Sequence, residues 1–215
     1  GLSLKRYTKV GILRSEALST DLKEKYDIIF GYEQQFAFRL AKDVLKKPET
    51  SVWMILIPIL FVHHMFKAKE YKENVRTFAG NIFSTRQKAL DKAYREAETG
   101  RSISYGVDDY FPDVTLVSKE DKVLAEKQIL VIRAMEDHYL AMLKWPGKTL
   151  EEVIRGVYRD EREYRRYLER LTEAEMEVSR YLMEHFHVTE EKRTVARSIE
   201  SRCAELRELE VKFFF

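Results

Sequence analysis

Cysteine occurs once in 215 residues, at Cys203, so an intramolecular disulfide framework and a cysteine-based zinc site are both excluded. A lone thiol fits a reducing compartment, which makes the cytoplasm the expected location. Proline is scarce at 4 and glycine numbers 8, so the chain has few places to turn and little material for a hairpin-rich all-β fold. Net charge is nearly absent: 38 basic residues stand against 36 acidic ones, a formal +2, and no overall electrostatic footprint for nucleic acid exists. Also missing are a Gly-x-Gly-x-x-Gly or Walker loop to cradle phosphates, a Gly-x-Ser-x-Gly elbow and a His-Glu-x-x-His pair. Cys203 sits in the charged run SIESRCAELRELE without an adjacent base, a poor setting for a nucleophile. The chain starts at Gly1 rather than methionine, which leaves a leader or anchor ahead of it open.

What is present favours helices. A 45% hydrophobic, 12% aromatic composition supplies a core for one domain over residues 1–215. Punctuation is confined to Pro48, residues 100–112, Trp145-Pro146-Gly147 and Phe186 to Thr189. Leu18, Leu22, Tyr26, Ile29, Phe36, Leu40 and Val44 recur at three- and four-residue steps, the mark of one buried helix face, and Glu33 falls on that stripe. A second helix opens at Pro48-Glu49, where proline costs no hydrogen bond, and extends to about Glu98. Ser118 is placed to cap the helix that Trp145-Pro146-Gly147 ends. Thr149 with Glu152 has capping-box spacing; so has Thr172 with Glu175, which predicts a break or kink in the heptad-like helix begun at Leu150. A C-terminal helix is expected over 189–212, with VKFFF at or beyond its end. The reading is an all-α bundle of four to six long helices, with a long crossover loop near 100–117.

The most apolar stretch, Val52 to Phe66 (VWMILIPILFVHHMF), admits two readings. About 15 residues at 1.5 Å each span only ~22 Å, less than the ~30 Å hydrocarbon core, which favours a buried, kinked central helix over a straight crossing. Lysines on both sides, with Trp53 near one edge, equally suit shallow insertion from the cytoplasmic face. On that second reading Trp53, Ile57, Pro58, Ile59 and Phe61 contact a membrane or a protein partner.

Carboxylates on apolar faces are the other candidates for chemistry, because a carboxylate in a bundle core needs a cation or a metal. Glu33 lies on the first stripe, Glu136 on a stripe with Ile129, Ile132, Leu140 and Leu143, and Glu184 with His187 makes one Glu-x-x-His step. These four resemble three of the four parts of a ferritin-like di-iron or di-manganese site, which would bind Fe or Mn. The fourth part, a second Glu-x-x-His, is absent. The alternative for Glu33 and Glu136 is a buried pair with Arg39, Arg133 or a lysine, and for His138 an ordinary place in the core. The arginine-rich run YRDEREYRRYLER carries its own acids, so intrahelical ion pairs are expected there rather than a nucleic-acid face. With no catalytic motif, the expectation is a non-enzymatic bundle acting through an unidentified protein partner or a membrane surface.

Overall fold

The computed structural model describes residues 2–44, 75–112 and 114–215. The segment 52–66, and with it Trp53, Ile57, Pro58, Ile59 and Phe61, lies outside the described residues. Among those described, seven helices and no strand are found. They are α1 (Leu2–Val44), α2 (Val75–Thr99), α3 (Val107–Tyr110), α4 (Lys119–Lys144), α5 (Leu150–Val157), α6 (Glu161–His185) and α7 (Glu190–Phe214). The chain is therefore an all-α helical bundle.

Local chemistry sets most of the helix ends. Ser118 accepts from the Asp121 amide at 3.0 Å while Asp121 returns a bond to the Ser118 amide, so two orphan donors at the start of α4 are satisfied. Thr149 and Glu152 do the same for α5. After α2, Gly100 takes φ +67°, a left-handed turn that a side chain would resist, and its amide reaches back to Glu96.

Three boundaries differ from expectation. The helix begun at Leu150 stops at Val157, because Asp160 caps a new one by accepting from the Glu163 amide at 2.9 Å. No break occurs at Thr172: α6 runs on through it, and its hydroxyl donates to the Leu168 carbonyl one turn back. Finally, α7 continues through Phe214, so Phe213 and Phe214 belong to the helix and only Phe215 lies beyond it. Phe214 is fully buried against Tyr32 and Tyr164, whereas Phe213 is 68% exposed.

Five long helices close a ring in the order α1, α2, α4, α6, α7 and back to α1. Ile29 on α1, Leu90 on α2, Ile132 and Tyr139 on α4 and Leu171 on α6 meet in the main core. Phe36 and Leu40 form a second cluster with Ile199 and Leu206 of α7. The crossover is packed, not free: Tyr110 and Phe111 are buried, and the Tyr110 hydroxyl donates to Glu136 at 2.8 Å. Ring closure by packed helices, more than helix propensity, is what orders a bundle of this kind.

Candidate functional site

Among the described residues, space is left where α6 and α7 run beside each other, on the side toward α4. A cleft of about 440 Å³ lies there, lined from all five long helices. Helical periodicity puts its walls together: Gln128, Val131, Ile132 and Met135 on α4, and Ala196, Ile199, Cys203 and Arg207 on α7, each follow three- and four-residue steps. Small side chains explain the space. Thr172 and Ser179 of α6 face Ala196, Cys203 and Ala204 of α7, where larger residues would close the gap.

Two ion pairs border the cleft, one buried and one with a partly exposed acid. Arg86 of α2 places Nη1 2.6 Å from Glu33 of α1, with the two side chains 12% and 8% exposed, and its guanidinium lies 4.3 Å from the centre of the Phe36 ring. Burial works against the Arg86 charge, yet the Glu33 carboxylate holds its pKa well above the usual value. Arg207 of α7 binds Glu175 at 2.8 Å and donates to the Thr172 hydroxyl at 2.5 Å. Burial opposes this cation too, and Glu175 again keeps its pKa raised.

A third carboxylate completes this polar layer. Glu210 accepts a hydrogen bond from Tyr32. Burial pushes its pKa up to about 7; the Tyr32 bond works in the opposite direction, and the nearby Glu33 charge adds to the rise. Two arginines thus face three carboxyl groups, and the layer is neutral when Glu210 keeps its proton. Lining this same layer, His138 stacks on Tyr167 with ring centres 4.2 Å apart and meets the Tyr158 hydroxyl at 2.7 Å through Nδ1. Burial, reinforced by Arg86, pushes its pKa down to about 3, so the imidazole is neutral. His138 is a core histidine, as its place on an apolar face suggests.

Reactive groups are correspondingly quiet. Burial first, then the Glu175 charge, pushes the Cys203 thiol up to about 11, away from thiolate chemistry. The most telling polar group is Gln128, which is 7% exposed and lines the cleft, while its Oε1 has no hydrogen-bond partner among the described residues.

The four residues of the dimetal expectation are not gathered into one donor set. Glu33 is paired with Arg86 rather than with Arg39, which is exposed. Glu136 is held by Lys92 at 2.9 Å and by Tyr110, and Lys92 also binds Glu96 at 3.1 Å. Burial opposes the Lys92 charge, and hydrogen bonds to Glu136 and Glu96 more than restore it. Glu184 and His187 are exposed, at the end of α6 and just beyond it. Among the described residues, no group of three or more His, Cys, Asp or Glu side chains is placed to hold a metal ion. None of the described helices is long and apolar enough to cross a membrane.

Sequence reasoning did not find the cleft. The α7 face was readable as a stripe of small residues, but a stripe alone does not say whether its neighbours fill it. In the arginine-rich run, Arg159 pairs with Glu163, and Arg165 with both Glu161 and Glu208 of α7.

The fold and the cleft together define an all-α bundle with a largely apolar cleft bordered by two Arg–Glu pairs. Comparison with protein-family models, with curated proteins and with solved structures finds no match to this chain.

Proposed function

We propose that this chain is a non-enzymatic helical bundle that acts by contact, taking an apolar group of its binding partner into the cleft between α4, α6 and α7. A protein chain and a membrane surface both offer such a group. The observation that carries the reading is the cleft itself: about 440 Å³ lies within the range of roughly 300–1,000 Å³ typical of small-molecule sites, and apolar side chains dominate its lining. Its arginines are already neutralised, and its thiol and the neighbouring imidazole are held in unreactive forms. The lone half-buried thiol supports a cytoplasmic site of action, with membrane association through the segment 52–66 as the accompanying proposal.

The test is saturable binding of N-phenyl-1-naphthylamine, a neutral apolar dye, to the full chain. One dye per chain is expected, with binding abolished by Ala204→Trp or Val131→Trp at the edge of the cleft while circular dichroism and thermal unfolding stay unchanged. Dye binding that survives both substitutions in folded protein overturns the reading.

A further inference from the structure

We propose that the last two turns of α7, from Glu208 to Phe214, are a latch on the bundle whose grip weakens as pH rises, because Glu210 ionises in a layer with no free cation to receive its charge. The latch is independent of what the cleft between α6 and α7 takes up.

The first observation is what the latch grips. Val211 and Phe214 are both buried, and the Phe214 ring lies against Tyr32 of α1 and Tyr164 of α6. Arg155 of α5 donates from Nε to the Phe214 carbonyl at 2.5 Å. Tyr32 serves twice, since its hydroxyl also donates to Glu210. The polar contact of Glu210 and the seat of Phe214 are therefore on one residue. Leu209 and Phe213, on the outer side of the same turns, are exposed. Release adds Val211 and Phe214 to them and turns the stretch into a continuous apolar segment.

The second is how charge is distributed around Glu210. Arg86 of α2 is bonded to Glu33 at 2.6 Å, and Arg207 of α7 to Glu175 at 2.8 Å. Among the described residues Glu210 forms no ion pair; its side-chain bond is to the neutral Tyr32 hydroxyl. Once Glu210 ionises, three carboxylates face two cations, and one negative charge is left over beside Glu33. Undocking carries that charge into water, where it is solvated at no cost to its neighbours.

The third is that the groups around Glu210 keep one charge state near neutrality. From α4, His138 stays neutral, its pKa pushed down to about 3 by burial and by Arg86. On α1 and α6, burial holds the Tyr32, Tyr164 and Tyr167 hydroxyls protonated. On α7, burial pushes the Cys203 thiol up to about 11, and Glu208 is paired outward with Arg165. From α5, Leu150 and Ile154 reach this layer. Glu210 is the group that changes: burial, then the Glu33 charge, raises its pKa to about 7 against the Tyr32 bond and the two arginines. A raised carboxyl pKa means that the grip is full below about 4.5, weakens as pH rises toward 7 and levels off above.

The experiment is hydrogen exchange of the full chain at about pH 5.5 and about pH 8, each rate divided by that of the unstructured peptide. Protection of the amides at 211–215 should fall about 30-fold across that interval. It should be insensitive to about 0.5 M urea, because a local opening exposes little surface, whereas the α4 amides at 132–142 should be far better protected and urea-sensitive. In Glu210→Gln the fall at 211–215 should shrink to less than about threefold. Tyr32→Phe removes the bond that favours the carboxylate, so the midpoint of the fall should move to higher pH, and this variant decides alone if Glu210→Gln does not fold. Protection that does not change with pH in the parent chain overturns the inference, and so does an equal fall in folded Glu210→Gln. A urea dependence at 211–215 equal to that of α4 overturns it as well, since α7 is then released only by unfolding of the whole bundle. An unmoved midpoint in Tyr32→Phe does the same.

Discussion

Arg86 is held by α1 through two different forces at once: its guanidinium bonds Glu33 at 2.6 Å and lies 4.3 Å from the centre of the Phe36 ring, one turn further along the same helix. Removing either charge strands the other in the interior. Glu33→Gln or Arg86→Met should each lower stability by about 3–5 kcal/mol in urea unfolding, whereas Glu33→Leu with Arg86→Met should recover much of the loss. A double variant no more stable than the singles would mean the pair is not the linchpin of this contact.

The pH dependence of folding follows from Glu210 and His138, which work in opposite directions. Glu210 has its folded pKa raised to about 7, so its contribution is fully present below about 4.5 and is lost as pH rises through 7, a change of up to about 3 kcal/mol. His138 has its folded pKa lowered to about 3, so its contribution is present above about 6.5 and is lost as pH falls toward 3. Between pH 4.5 and 6.5 the two slopes offset. Glu210→Gln removes the first, so relative to the parent chain its stability should rise from pH 5 to about pH 7 and then level off. Parallel pH profiles for the two chains would refute the assignment.

Trp145 covers Gly156, because a Cβ built there would fall 1.8 Å from its Nε1. Gly156→Ala should expel the indole from the α5 end and red-shift its emission, read in a Trp53→Phe background. Helix propensity gains about 1 kcal/mol from alanine, so the net destabilisation should be small, about 1 kcal/mol. Unshifted emission would show that the indole does not rest there.

Metal content separates the contact reading from a ferritin-like dimetal one. Protein purified without chelator should carry no stoichiometric iron or manganese by elemental analysis. Two metal ions per chain, lost in Glu33→Ala and Glu136→Ala, would favour the dimetal site instead.

Membrane contact through 52–66 predicts that Ile57→Asp or Ile59→Asp weakens flotation with anionic liposomes while thermal unfolding in free solution is unchanged. Unfolding without any liposome would assign the segment to the core.

The legibility of this molecule divides along physical lines. Stripes and caps are local, and they were readable: the α1 face with Glu33 on it, Ser118 at the start of α4, Thr149 and Glu152 at α5. Asp160 was equally local, a cap three residues ahead of Glu163, but the heptad-like pattern across it masked the break. Thr172 and Glu175 show the converse. Their spacing is that of a box, yet Arg207 from α7 takes both, and a helix whose polar side chains are engaged elsewhere has no reason to stop.

Sequence alone determined that this is an all-α bundle and that its carboxylates on apolar faces need partners, because periodicity, capping and desolvation act within a few residues. Only the tertiary structure decided which cation meets which acid, Arg86 for Glu33 and Lys92 for Glu136, since those partners lie 53 and 44 residues away in the chain. It also decided where space is left over. A cleft is a property of facing surfaces: Thr172, Ser179, Ala196 and Ala204 are small in any context, and they enclose a site only where the ring of helices sets them opposite one another.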